Sequence, residues 1–145
     1  MPELLPEHLE AGTLNVCGIA GLLEGIRYVR ERGEVTILRH EQMLLQRAVS
    51  ELSGRGLELF TGEEMQSGVL SLRCPWMDCE ELASRLSDRG VCVRAGLHCA
   101  PLAHESAGTL ESGTLRMSFS PFLSAQDVKK ACEMLVETVE EAKRN

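Results

Sequence analysis

Apolar residues recur at helical spacing from Asn15 onward, with Val16, Ile19, Ala20, Leu23, Ile26 and Val29 on one broad face and Gly33 as a stop. Gly18, Gly21 and Gly25 thin that helix on another side, which implies close approach by a neighbouring backbone or ligand. A second helix is predicted over about 38–52, with Leu44, Leu45, Ala48, Val49 and Leu52 as its core stripe, ended by the Ser-Gly-Arg-Gly run at 53–56. Two short strands, 57–60 and 68–74, flank a turn-rich segment and should pair antiparallel. Asp78 with Glu81 three residues on reads as a capping box opening a helix that turns Leu82 and Leu86 inward and stops at 88–90. The pattern then predicts a strand at 91–94, and a second strand at 114–119 in which Leu115, Met117 and Phe119 face one way and Thr114, Arg116 and Ser118 the other. Arg116 therefore points away from the core. A last helix begins after Ser124, with Asp127 completing its capping box and Val128, Ala131, Cys132, Leu135, Val139 and Ala142 as its buried stripe. The sum is an α+β fold: a small, mainly antiparallel sheet covered on one face by helices. Residues 1–32 read as a connector with its glycine-rich helix, and 33–145 as the compact domain.

Composition narrows the function. The chain has 145 residues, 43% hydrophobic and 26% charged, which suits a globular domain. Its formal net charge of -7 and the lack of a basic patch argue against nucleic acid as partner. The apolar runs are too short for a membrane span, and the acidic, proline-punctuated start does not resemble a signal peptide, so the expected location is cytoplasmic. The six cysteines, at 17, 74, 79, 92, 99 and 132, include no C-x-x-C pair. In a reducing compartment Cys17, Cys92 and Cys132 are expected to be small buried hydrophobes.

The segment 93–105 is the exception, because it has no helical or strand rhythm yet carries Arg94, His98, Cys99 and His104 together. Zinc would need a fourth ligand and recurrent short spacings, so no metal site is expected. An exposed thiol beside an arginine and two histidines lies in an electropositive setting that favours the nucleophilic thiolate. These residues support a reactive cysteine without naming its reaction.

The octapeptide RAGLHCAP at 94–101 resembles the active-cysteine segment of cysteine desulfurases, pyridoxal phosphate enzymes of fold type I in the class V aminotransferase family. LEAGTLNVCGIAGLLEGI at 9–26 resembles the family's E-x-G-T-x-N segment and following helix, and GTLRMSFSPFLSAQDV at 113–128 resembles its R-x-S strand and terminal-helix entry. The resemblance implies that Cys99 takes sulfur from cysteine held on the cofactor, leaving alanine and an enzyme persulfide. It matches Arg116 to the arginine that holds the substrate carboxylate, and Thr13 to a threonine that reaches the cofactor phosphate of a neighbouring subunit. Arg94 and His98 are left with supporting the loop. Two departures bear on substrate choice: SPFLS at 120–124 replaces a run of glycine, aromatic, asparagine and threonine, and Leu97 stands where many members have a histidine.

Full-length members of that family are more than twice as long, and the half with the Schiff-base lysine has no counterpart here. The resemblance therefore implies the C-terminal part of such an enzyme. Pyridoxal phosphate would belong to the full-length protein and not bind this chain tightly, and the chain alone would be inactive. Implied partners are L-cysteine or a related amino acid, a sulfur-acceptor protein and a second copy in a homodimer. The alternatives are a selenocysteine lyase or class V aminotransferase fragment, or a non-catalytic interaction domain on the same fold.

Overall fold

A computed structural model describes residues 3–9, 12–62 and 66–144. The chain divides into two compact units, Met1–Thr36 and Ile37–Asn145.

The first unit holds a short 3-10 turn, Glu7–Leu9, and helix α1, Val16–Arg32. Asn15 caps α1 through its side chain, which accepts from the Gly18 N–H at 2.9 Å, and Gly33 ends it at φ 80°. No residue of α1 is buried. The stripe anticipated from periodicity exists, but Val16, Ile19, Leu23 and Ile26 lie open to solvent.

The second unit carries most of α2 (Glu34–Leu52), then β1 (Glu58–Phe60), β2 (Val69–Arg73), α3 (Cys79–Asp88), β3 (Arg94–Gly96), α4 (Pro101–Ser106), β4 (Thr114–Ser118) and α5 (Ala125–Arg144). The strands form one antiparallel sheet in the order β1-β2-β4-β3, so β3 is an edge. Alternation sends Leu70, Leu72, Leu115 and Met117 to one face, where they share a core with Leu44, Ala48 and Leu52 of α2, Leu82 and Leu86 of α3, and Val128, Cys132, Leu135 and Val139 of α5. Helix caps set the entry angles: Asp78 accepts from the Glu80 and Glu81 N–H groups, and Ser124 and Asp127 bond each other reciprocally. The opposite face carries Ser71, Arg73, Arg94, Thr114 and Arg116 beside Phe60 and Val69.

Four expectations are corrected. The strand placed at 91–94 begins only at Arg94 and runs to Gly96, because Val91 and Val93 reach the core from an unpaired extended segment. The stretch 93–105 is not rhythmless: it contains β3 and the one-turn helix α4, whose Pro101 occupies the first helical position. Helix α2 starts at Glu34 and not near 38. Cys17 and Cys92 are exposed, and only Cys132 of the three is buried. Cys17 lies on the open helix α1, and Cys92 alternates outward between Val91 and Val93.

Candidate functional site

The open face of the sheet is built by register. Arg116 of β4 stands directly opposite Ser71 of β2 on one side and Arg94 of β3 on the other. Two guanidinium-bearing residues are therefore cross-strand partners on one face, where like charges are mutually unfavourable. A third, Arg73, is neutralised by Glu58, with Nε 2.8 Å from the carboxylate. Arg94 and Arg116 have no ion pair among the described residues.

Beyond β3 the chain reverses through Leu97–Ala100, closed by the Ala100 N–H donating to the Leu97 carbonyl at 2.9 Å. Its two central residues, His98 and Cys99, have φ of 51° and 60°. Successive positive φ values are the mark of a type I′ turn, which favours Gly and Asn; each bulkier residue costs about 1 kcal/mol or more. Glycines at both flanks make room for this reversal. Gly96 sits at φ 103°, and a Cβ on Gly113 would lie only 3.1 Å from the Gly96 Cα. The outcome is an exposed Cys99 thiol at the tip of a strained turn on an edge strand.

His98 folds back over the sheet, its Nε2 3.2 Å from Oγ1 of the buried Thr114. Its ring tilts 47° against that of His104, centroids 5.7 Å apart. His104 is buried in α4, and its Nδ1 lies 2.8 Å from Thr109 Oγ1. Burial, and then the charges of Arg116, His104 and Arg94, hold the His98 imidazole below its ordinary proton affinity, which favours the neutral ring. Among the described residues, two buried side-chain polar atoms lack a hydrogen-bond partner, His98 Nδ1 and Arg116 Nε. Buried polar groups are almost always satisfied, so an unpaired couple in one place calls for a ligand or partner.

Of the residues singled out in the sequence, Arg94, His98, Cys99 and Arg116 therefore gather at the β3–β4 edge. Thr13 belongs to the first unit, exposed just before α1. Sequence reading missed Thr114, Thr109 and the packing role of His104. Alternation places Thr114 on the strand face of Arg116, but its contact with His98 has no sequence signal. The three buried cysteines are of another kind: burial pushes the Cys74 and Cys79 thiols up, and that of Cys132 up to about 11.

An antiparallel sheet covered by helices on one face, with a cysteine turn beside cross-strand arginines on the other, defines an α+β domain. Residues 3–131 match the sequence profile of class-V aminotransferases, and the chain belongs to that family. It is 32% identical over 126 residues to a probable cysteine desulfurase of Vibrio cholerae, covering 87% of this chain and 31% of that protein. It is 31% identical over 136 residues to a probable cysteine desulfurase of Pyrococcus abyssi, covering 92% and 33%. The fold superimposes on the apo structure of cysteine desulfurase from Thermococcus onnurineus with a TM-score of 0.82 at 32% identity, over 94% of this chain and 34% of that one. A cysteine desulfurase from Escherichia coli gives 0.75 at 28% identity, over 96% and 33%. The chain thus spans about a third of the length of these relatives. Among the described residues, no helix is long and apolar enough to cross a membrane.

Proposed function

We propose that this chain supplies the sulfur-accepting thiol and the carboxylate-binding arginine of a cysteine desulfurase site. Cys99 is the acceptor, Arg116 the anchor for the substrate carboxylate, and His98 shapes the loop while Arg94 adds positive charge to it. The observation that carries the reading is the turn itself. Two non-glycine residues are held at positive φ, and one of them, Cys99, presents an exposed thiol in the turn that follows the strand paired with Arg116. Arg116 offers a planar fork suited to a carboxylate. In the overall reaction the Cβ–S bond of the substrate cysteine breaks, a sulfur–sulfur bond forms at Cys99, and a proton replaces sulfur on Cβ to give alanine.

Pyridoxal phosphate catalysis needs a lysine amine. The three lysines of this chain all lie on α5: Lys129 faces Glu133 at 3.6 Å, Lys143 sits 4.1 Å from the centre of the Trp76 ring, and Lys130 lines a cleft with Met117 and Met134. None belongs to the cluster around Cys99, and these residues do not fit the cofactor's anchor. In this proposal the cofactor is held outside this chain, with Thr13 reaching its phosphate from a neighbouring subunit of a homodimer. Residues 1–32 serve as connector and 33–145 as the cysteine-bearing domain of a cytoplasmic enzyme.

The test needs no cofactor. The chain is mixed with L-cysteine persulfide, whose outer sulfur a thiolate attacks; the sulfur–sulfur bond of the donor breaks, cysteine thiolate leaves, and the protein gains a persulfide. Peptide mass mapping should place the added sulfur on Cys99 first, and Cys99→Ser should abolish that phase. Equal rates at Cys17, Cys92 and Cys99 would overturn the proposal.

A further inference from the structure

The two unsatisfied buried atoms define a second contact in the same site. Thr114 is buried, and its hydroxyl has one hydrogen-bond partner among the described residues, His98 Nε2. With the ring neutral, one of its two tautomers has Nε2 accepting from the Thr114 hydroxyl and the proton on Nδ1. Arg116 Nε is a donor by nature. In that tautomer both unpartnered atoms are N–H groups without an acceptor. They share one strand face: Thr114, which holds His98, is two positions before Arg116, about 7 Å along β4, and the Arg116 charge acts on the His98 ring.

We propose that His98 is a specificity-determining residue of this site, its Nδ1–H sharing one substrate carboxylate with Arg116 Nε–H. The inference rests on the carboxylate role given to Arg116 above. His104 is the positioning residue. Its ring packs against His98, and Thr109 fixes it: the hydroxyl accepts from Nδ1 and turns its own hydrogen toward the His104 carbonyl at 3.5 Å. The charged and titratable groups around His98 are Arg94 on β3, Arg116 on β4 and His104 on α4, and they favour the neutral ring that the arrangement requires.

Cys99 itself reports on the contact. Iodoacetate and iodoacetamide alkylate a thiolate by the same displacement of iodide, but only iodoacetate carries a carboxylate. The ratio of the two rates at Cys99, measured by peptide mass mapping against the exposed Cys17 and Cys92 in the same tube, isolates carboxylate recognition from thiol reactivity. The ratio should be about tenfold or more higher at Cys99 than at the other two. Glycine and asparagine both tolerate the positive φ at position 98. His98→Gly should lower the Cys99 ratio about tenfold, and His98→Asn, which restores a donor near the Nδ1 position, should recover most of it. Arg116→Gln should bring the ratio to the level of Cys17 and Cys92. A ratio that falls with Arg116→Gln but not with His98→Gly overturns the role of His98 and leaves Arg116 standing. A ratio at Cys99 that matches the other cysteines in the unmodified chain, or that ignores Arg116→Gln, overturns the carboxylate site itself.

Discussion

Replacing Gly113 by alanine tests whether the β3–β4 edge is as tightly drawn as its geometry implies. Gly113 has φ of 59°, and a Cβ there would meet Cys79 Sγ at 3.1 Å, the Gly96 Cα at 3.1 Å and the Gly96 carbonyl carbon at 3.2 Å. The left-handed conformation alone costs an alanine about 1 kcal/mol. Two of the three contacts are backbone atoms, which cannot rotate aside, so the strands must separate by a few tenths of an ångström. Overpacking of that kind typically adds about 1–3 kcal/mol, for a total of about 2–4 kcal/mol. Gly108 supplies the control, with φ of 67° and nothing within 4 Å of its Cβ position. Gly108→Ala should cost about 1 kcal/mol from strain alone. Urea titrations followed by circular dichroism and Trp76 fluorescence give both values from one protocol. Gly113→Ala should also alter Cys99 alkylation, because Gly96 leads directly into the Leu97–Ala100 turn. Equal destabilisation by the two alanines would refute the close approach.

Other expectations follow from the same chemistry. His98 has a folded proton affinity below its ordinary value near pH 6.5, so the unfolded chain binds that proton more tightly. The stability contributed by the neutral ring is complete above pH 6.5 and is lost as pH falls below it; denaturant titrations at pH 7.5 and 5.5 should show a fall that His98→Asn reduces. Cys132, pushed up to about 11 by burial, and the buried Cys74 and Cys79 should resist iodoacetamide in the folded chain and react together in 6 M guanidinium, whereas native-state labelling of Cys132 at the rate of Cys92 would contradict the packing. Asp78→Ala removes the acceptor for the Glu80 and Glu81 N–H groups and should cost about 1 kcal/mol in the same urea assay; no change would show that the cap is idle.

The elements with strong periodicity were legible in the sequence. Helix α5 and its Ser124–Asp127 box, α3 with its Asp78 cap, and the alternation of β4 all carry local signals that match their tertiary setting. The placement of Arg116 off the core followed from that alternation alone. The loop was harder, for physical reasons. β3 is three residues long and includes a glycine, so no period can declare it, and α4 spans a single turn whose clearest signal was Pro101. Positive φ at His98 and Cys99 runs against the preference of both residue types and comes from closure between β3 and α4, not from local propensity. Thr138, buried in α5, was missed because its hydroxyl turns back onto the Met134 carbonyl at 2.8 Å and lets the methyl group pack. The apolar stripe of α1 was read correctly as a pattern, yet periodicity does not say whether its cover lies in the same chain.

In the proposed carboxylate site, the opposed arginines on β3 and β4 would couple occupancy to folding. Facing one another across an edge ladder without a counter-ion, Arg94 and Arg116 push apart the strands that present Cys99. A small anion seated between them would neutralise that repulsion, and mass action would then raise the melting temperature with ligand concentration. In the proposed role, a substrate acid would be the clasp that holds the cysteine-bearing edge together.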